Sequence, residues 1–266
     1  MPELPEVETI VHRLRGPLIG RAFADVQVSW ERIVQVPVSE LEVRLPGQRI
    51  EEINRRGKYL VFRLSGDERL IVHLKMSGDL MVLPASDPPH PHDRVVFGLD
   101  DGHHLRFRDQ RKFGRVYLVE DPSQILGQLG PEPLADAFGE GDFLALFDRR
   151  SGRIKSLLLD QGFIAGLGNI YADEALFLAG IQPQRRCDTL SEEDKRRLYQ
   201  AIRQVLRLAI EQKGASLADD TYKGGRYQQQ FLVYGREEQP CPRCGSPIRR
   251  IRLGQRSAHF CSACQQ

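Results

Sequence analysis

Cys241-Pro242-Arg243-Cys244 and Cys261-Ser262-Ala263-Cys264 are two C-x2-C pairs with 16 residues between them. No other feature limits the fold of this chain as tightly. Each pair can set two thiolates on one tetrahedral ion, and the spacing suits a zinc ribbon. Four sulfurs close the shell, so the zinc is expected to be structural and not catalytic. A redox dithiol is the alternative, but it would need only one pair. The fifth cysteine, Cys187, stands apart and reads as inert.

The ribbon lies in a basic tail. From Arg236 to Gln266 there are six arginines and two acids, on a chain whose 38 basic and 36 acidic residues otherwise nearly balance. A cationic segment on a near-neutral body suggests a localised anionic partner. Within the ribbon, Gly254-Gln255-Arg256-Ser257 reads as a hairpin tip presenting Arg256. That side chain is either a solvated cation or a phosphate contact, since a guanidinium matches phosphate geometry. No apolar run approaches the roughly 18 residues needed to cross a bilayer. The start of the chain carries Glu3, Glu6 and Glu8 instead of an apolar leader core. The expectation is a cytoplasmic protein with no membrane partner.

At 266 residues the chain is expected to hold more than one domain. Val7, Ile10, Val11 and Leu14 recur at helical spacing up to Gly16-Pro17, which predicts one N-terminal helix. Short apolar or alternating runs follow at 59–64, 70–74, 80–83, 94–99, 104–107 and 115–119, with turn residues between them. Strands at this spacing, without intervening helices, predict an antiparallel sandwich or barrel. The four prolines of 84–92 mark a surface loop. Beyond Leu129-Gly130-Pro131-Glu132-Pro133 the pattern turns helical. Ile154, Leu157 and Leu158 form one apolar face, and Ala172, Ala175, Leu176 and Ala179 another. Ser191 is a candidate N-cap for a helix burying Leu198, Ile202, Val205, Leu206 and Ala209, which ends at Lys213-Gly214.

The N-terminal string Met1-Pro2-Glu3-Leu4-Pro5-Glu6 admits two readings. It is a proline-rich helix entry with acids at the positive end. Alternatively, with Met1 removed, it offers a secondary amine beside a carboxylate. Such an amine can attack an electrophilic carbon to leave an iminium, while the carboxyl moves protons. Gly166-Leu167-Gly168-Asn169, between two helical patterns, is an interhelix turn or a backbone cradle for phosphate. Lys58 and His73 flank strands. Met76, Arg111 and Phe113 lie at turns, either loosely packed or as a wedge for a base stack. His90, His92, His103 and His104 show no metal-ligand pattern.

In combination these segments resemble the formamidopyrimidine-DNA glycosylase family of bifunctional repair enzymes. The likeness rests on Pro2 to Thr9, Arg56-Gly57-Lys58-Tyr59, His73-Leu74-Lys75-Met76-Ser77-Gly78, Leu129 to Leu134, Gly166 to Ala172, Val233-Tyr234-Gly235-Arg236 and the four cysteines. It implies an α+β multidomain protein. An N-terminal β-sandwich with an N-terminal helix would span 1–130, with a linker over 131–150. A helix–two-turn–helix domain would span 151–235 and a zinc finger 236–266, with DNA in the cleft between the domains. It implies base excision repair of double-stranded damaged DNA by a monomer at the nucleoid. Oxidised purines would be removed through a Schiff base at Pro2, followed by β,δ-elimination.

The resemblance also assigns roles. Pro2 would be the nucleophile and Glu3 the general acid/base. Lys58 would assist β-elimination, and Arg256 would be linked to δ-elimination. His73, Asn169 and Arg256 would hold phosphates, with His92 and Arg150 as further DNA contacts. Met76, Arg111 and Phe113 would fill the gap left by the extruded base, and Arg111 would read the opposite cytosine. Cys241, Cys244, Cys261 and Cys264 would hold one structural Zn2+. Three residues depart from the family's habit: Lys75 replaces a small residue, Gln110 a proline and Lys112 an arginine. The loop Ala218 to Gln230 is a few residues short. Two competitors remain: an endonuclease VIII-like enzyme for oxidised pyrimidines, and a zinc-dependent DNA-binding protein without chemistry.

Overall fold

The computed structural model describes every residue except 217–221 and 223. The chain divides into two compact units, Met1–Gly127 with Ala215–Gly225, and Gln128–Gly214 with Arg226–Gln266. Among the described residues no helix is long and apolar enough to cross a membrane.

The first unit is a β-sandwich with a helix against it. Helix α1 (Leu4–Leu18) buries Val7, Ile10, Val11, Leu14 and Leu18 along one stripe. That 3–4 spacing is the one the sequence displays. The helix runs past the expected stop at Gly16-Pro17. Pro17 sits in its last turn, where the missing N–H removes one terminal bond and breaks nothing further in. Strand β1 (Phe23–Val28) and the short helix α2 (Val38–Arg44) follow. Then come β2 (Ile50–Arg56), β3 (Tyr59–Leu64), β4 (Arg69–His73), β5 (Gly78–Pro84), β6 (Asp93–Leu99), β7 (His103–Asp109) and β8 (Arg115–Val119). One antiparallel sheet has the order β1-β6-β7-β5 and the other β2-β3-β4-β8. Their inner faces supply one core, including Phe23, Phe62, Phe97 and Phe107, which also takes in α1 and Tyr222. Burying such rings and branched side chains stabilises by about 1.5–3 kcal/mol each. The short helix α3 (Ser123–Leu126) ends the first of the unit's two segments.

The second unit is helical. It contains α4 (Glu140–Ala145), α5 (Ile154–Leu159), α6 (Asn169–Ala179) and α7 (Glu192–Glu211), then the hairpin β9 (Arg249–Leu253) and β10 (Arg256–Phe260). Ser191 caps α7 as expected, its Oγ accepting the Asp194 amide at 3.1 Å. Between α5 and α6 the chain turns repeatedly through 160–168. Gln161 organises these turns: its Oε1 accepts the Gly166 amide at 3.0 Å and its Nε2 donates to the Leu167 carbonyl at 2.8 Å. Gly130 lies against them so closely that a Cβ there would come within 2.6 Å of the Gly162 carbonyl oxygen. That contact accounts for a glycine in the Leu129–Leu134 segment. The finger packs on α6 through Phe177, Val233, Ile248, Cys241 and Cys261.

Candidate active site and nucleic-acid interface

In the first unit, the residues expected to carry chemistry sit where α1 begins. Pro2 and Glu3 are both buried. Glu3 is the N-cap, and its amide donates to Glu6 Oε2 at 2.7 Å. The other oxygen of Glu6 accepts the Ala215 amide at 2.7 Å. One carboxylate thus fixes the backbone next to Pro2 and the root of the loop that follows Ala215. Glu6 belongs to the same N-terminal motif. The available signal was its N3 spacing from an N-cap.

Lys58 lies in the two-residue turn Gly57-Lys58 between β2 and β3, where Gly57 takes φ +56°. A left-handed first turn residue suits glycine and gives a tight hairpin. Arg55 ties that turn to α1, donating from Nε to Glu8 at 2.6 Å and from Nη1 to the Gly57 carbonyl at 3.1 Å. Lys58 is buried. His73 ends β4 opposite Tyr59, with the two rings 4.5 Å apart and edge-on. Burial pushes the imidazole down to about 3, and the charges of Lys75 and Lys58 add to this. His73 is therefore neutral at physiological pH. Its Nδ1 accepts the Lys75 amide at 2.9 Å, so the proton of the neutral ring is on Nε2, which is a donor. Lys75, Lys58 and Arg115 all act electrostatically on this neutral donor, so the local charge favours an anion.

The turn 109–114 carries Arg111 and Phe113. Asp109 is fully buried and holds it from inside. Oδ1 accepts from Ser77 Oγ at 2.6 Å and from the Arg111 amide at 3.2 Å, and Oδ2 accepts the Gly114 amide at 2.8 Å. Ser77 follows Met76, so one carboxylate joins the Met76 turn to the Arg111 turn. The Asp109 backbone is held as well, its amide donating to the His92 carbonyl at 2.9 Å and its carbonyl accepting Arg94 Nε at 2.8 Å. His92 Nδ1 lies 3.1 Å from Arg94 Nη2. Phe113 is 48% exposed, and the Arg111 guanidinium lies 5.3 Å from its ring centre. Exposed arene and cation thus stand together on a turn held from inside by Asp109.

In the second unit, Gly168 is the N-cap of α6 and Asn169 is its first helical residue, not the cap. The Asn169 Oδ1 is buried and has no hydrogen-bond partner among the described residues. Arg150 is exposed, at a turn where Arg149 and Gly152 take positive φ. Arg256 is exposed at the start of β10, beside the Gly254-Gln255 turn. Arg249, Arg250 and Arg252 are exposed along β9.

The finger is seated on helices by a network with no clear sequence signal. Lys155 Nζ, buried, pairs with buried Asp173 Oδ1 at 2.5 Å and donates to the Ser257 carbonyl at 2.5 Å. Asp173 Oδ2 accepts the His259 amide at 3.0 Å. Glu174, also buried, accepts the amides of Leu232, Val233 and Tyr234 at 2.8, 3.0 and 2.9 Å. Burial raises the Glu174 carboxyl above its usual range against the pull of those three donors. The four ribbon cysteines place their sulfurs within 4.8 Å of one another. A tetrahedral zinc with bonds of about 2.3 Å needs sulfurs about 3.8 Å apart, so the set fits one ion.

Three family models match along the chain. They are the formamidopyrimidine-DNA glycosylase N-terminal domain over residues 1–116, the H2TH domain of the same enzymes over 129–221, and a zinc finger found in FPG and IleRS over 238–266. The chain belongs to the formamidopyrimidine-DNA glycosylase family. The family enzyme of Herpetosiphon aurantiacus is 45% identical over all of both chains. That of Pelotomaculum thermopropionicum is 43% identical over all of this chain and 99% of its own. Among solved structures, Lactococcus lactis Fpg in complex with DNA containing an abasic site superimposes with a TM-score of 0.93 at 35% identity, covering 99% of each chain. Thermus thermophilus Fpg does so with 0.88 at 42%, covering 99% of this chain and 98% of that one.

Membership makes the fold class that of the family: N-terminal helix and β-sandwich, helix–two-turn–helix, and a zinc finger with four cysteines for one structural zinc. Of the loop Ala218 to Gln230, residues 218–221 and 223 lie outside the described residues. Tyr222 is buried in the core of the first unit, and burial pushes its phenol up to about 12. Lys75 and Lys112, two departures from the family's habit, both take left-handed backbone at φ +53° and +62°.

Proposed function

We propose that this protein is a bifunctional DNA glycosylase and abasic-site lyase of base excision repair, acting on oxidised purines in double-stranded DNA. The observation that carries the reading is the buried Pro2-Glu3 start of α1, held through Glu6, in a chain that matches glycosylases of this family from end to end. Once Met1 is removed, Pro2 carries a secondary amine. An N-terminal amine has a pKa of about 8, so a useful fraction is neutral near pH 7. Its lone pair attacks C1′ of the flipped nucleotide, and the bond from C1′ to the base breaks. The base leaves with a proton. Glu3 moves protons as the sugar ring opens to the iminium. Loss of a C2′ proton expels the 3′ phosphate, a step Lys58 assists as a buried cation. A second elimination, linked to Arg256, expels the 5′ phosphate. His73, His92, Arg150 and Asn169 are proposed to hold the backbone. Met76, Arg111 and Phe113 are proposed to occupy the vacated stack, since base chemistry requires the base out of the duplex. We propose a monomer acting at the bacterial nucleoid.

Borohydride trapping tests this reading. Protein with Met1 removed should form a covalent adduct with a duplex containing 8-oxoguanine or an abasic site. Pro2→Gly replaces the secondary amine with a primary one and should retain part of that yield. Protein shown by mass to keep Met1 has only an amide nitrogen at Pro2 and should give none. An undiminished adduct from it would exclude Pro2 as nucleophile. No adduct from any form would leave a zinc-dependent DNA binder.

A further inference from the structure

The turn that carries Arg111 and Phe113 has a second anchor, on its outer side. Lys112 lies between those two exposed residues but is itself half-buried. Its ammonium sits 4.0 Å from the centre of the Trp30 ring. Arg32 approaches the same ring at 5.8 Å. An ammonium over an indole face is a favourable cation–π contact, and indole is the best of the aromatic faces for it.

Trp30 stands on a rigid post. Its neighbour Ser29 donates from the amide to the Arg94 carbonyl at 2.9 Å and from Oγ to the Asp93 carbonyl at 2.6 Å. Arg94 in turn holds the Asp109 carbonyl at 2.8 Å. The ring that receives Lys112 and the carboxylate that grips the turn from within are therefore tied to one strand, β6. Lys112 adopts φ +62°, which a Cβ disfavours, so the backbone alone would not choose this conformation. The capture of its side chain offsets that cost.

We propose that Trp30 is a positioning residue for the base-stack wedge: by capturing Lys112 it fixes the turn so that Arg111 and Phe113 are presented as a pre-stacked pair, and it thereby sharpens discrimination between opposite bases. The proposal rests on the glycosylase reading above. In this reading Trp30 needs no contact with substrate or reacting atoms. It acts by raising the population of the turn conformation in which Arg111 can meet the opposite base. A contact of this kind at a partly exposed site changes such a population by a factor of roughly two to five.

Trp30 is the only tryptophan of the chain, so its emission reports the contact directly. The experiment uses full-length zinc-loaded protein lacking Met1. Lys112→Gln should alter the emission of the free protein, and Lys112→Arg should preserve it. Single-turnover excision of 8-oxoguanine opposite cytosine and opposite adenine is then compared. Trp30→Leu and Lys112→Gln should each lower the cytosine-to-adenine ratio about two- to fivefold. The double variant should be no worse than either single one, and Lys112→Arg should restore the ratio. Trp30→Phe, which keeps an aromatic face, should fall between and guards against misfolding of the Leu variant. Strand cleavage at a preformed abasic site opposite cytosine should stay within about twofold. Identical emission from wild type and Lys112→Gln would overturn the proposal. So would an unchanged ratio in both Trp30 variants, or a Lys112→Gln effect that weakens binding equally opposite every base, the behaviour of a phosphate contact. Absence of abasic-site cleavage in the wild type would instead overturn the glycosylase reading.

Discussion

The Asp109 carboxylate accepts the Gly114 amide at 2.8 Å, closing a short turn whose exposed residues are Gln110, Arg111 and Phe113. Gly114 leaves no room for variation. A Cβ there would lie 2.3 Å from Phe107 Cζ, and Phe107 belongs to the sandwich core. Gly114→Ala should therefore cost about 1–3 kcal/mol of stability through overpacking. It should also displace the turn, so excision of a damaged base should fall more than cleavage at a preformed abasic site. Denaturant titration and single-turnover assays on the same preparation would check both expectations.

Arg111 and Arg256 should separate by the kind of contact they make. A guanidinium in the vacated stack can donate to the O2 and N3 acceptors of cytosine, whereas adenine offers an N6 donor on its pairing edge. A good base contact is worth about 1–3 kcal/mol of discrimination. Arg111→Ala should lower excision opposite cytosine by about 5-fold or more and narrow the gap to adenine. Arg256→Ala should weaken binding and elimination while leaving that ratio unchanged, because phosphate contacts carry no base information. Equal ratios for Arg111→Ala and the wild type would place base reading elsewhere.

Zinc removal should be felt through Arg256. A ribbon this small is held by its metal, and structural zinc contributes folding free energy outright. Cys244→Ser, or a strong chelator, should release zinc and disorder the β9–β10 hairpin. Affinity for an abasic-site duplex should fall in proportion to the zinc lost, with a shallower dependence on salt as arginine contacts disappear. Metal analysis alongside a salt series of binding isotherms makes the comparison.

His73 should make the first unit acid-sensitive. Its folded pKa is pushed down to about 3 from 6.5, chiefly by burial. The unfolded chain therefore binds the extra proton first. The contribution is fully present above about pH 6.5 and is lost as pH falls from there toward 3, by up to about 1.4 kcal/mol per pH unit. His73→Gln, which cannot take the proton, should flatten the stability curve of the protein between pH 6.5 and 4. Urea midpoints measured across that range would show the change in slope, and parallel curves would exclude His73 as the cause.

How much of this was legible in sequence varied with the range of the interaction. The apolar stripe of α1, strand β3 and the Ser191 cap are local patterns, and the structure reproduces them. Strands β1 and β2 were not foreseen, and their burial shows why. Each buries residues three apart, Phe23 and Val26, then Ile50 and Ile53, because the register shifts between Phe23 and Asp25 and between Ile50 and Glu52. A bulge adds one residue and erases the period of two that marks a strand. The motif residues were visible as candidates, but the groups that hold them were not. Asp109 reaches Ser77 across 32 positions, and Lys155 reaches Ser257 across 102. No local periodicity reports a contact of that span.

The shared carboxylate of Asp173 has a consequence for how the second unit comes apart. Its two oxygens serve a lysine on α5 and a backbone amide of β10, from a helix whose first residue is Asn169. Opening the finger alone would strip the buried Lys155–Asp173 pair of its hydrogen bonds to β10, which costs about 1–3 kcal/mol per group left unsatisfied. Opening of the finger is therefore coupled to opening of the helices. In hydrogen exchange the amides of α6 and β10 should behave as a single foldon, with one opening free energy. The metal would then slow exchange in a helix it never touches.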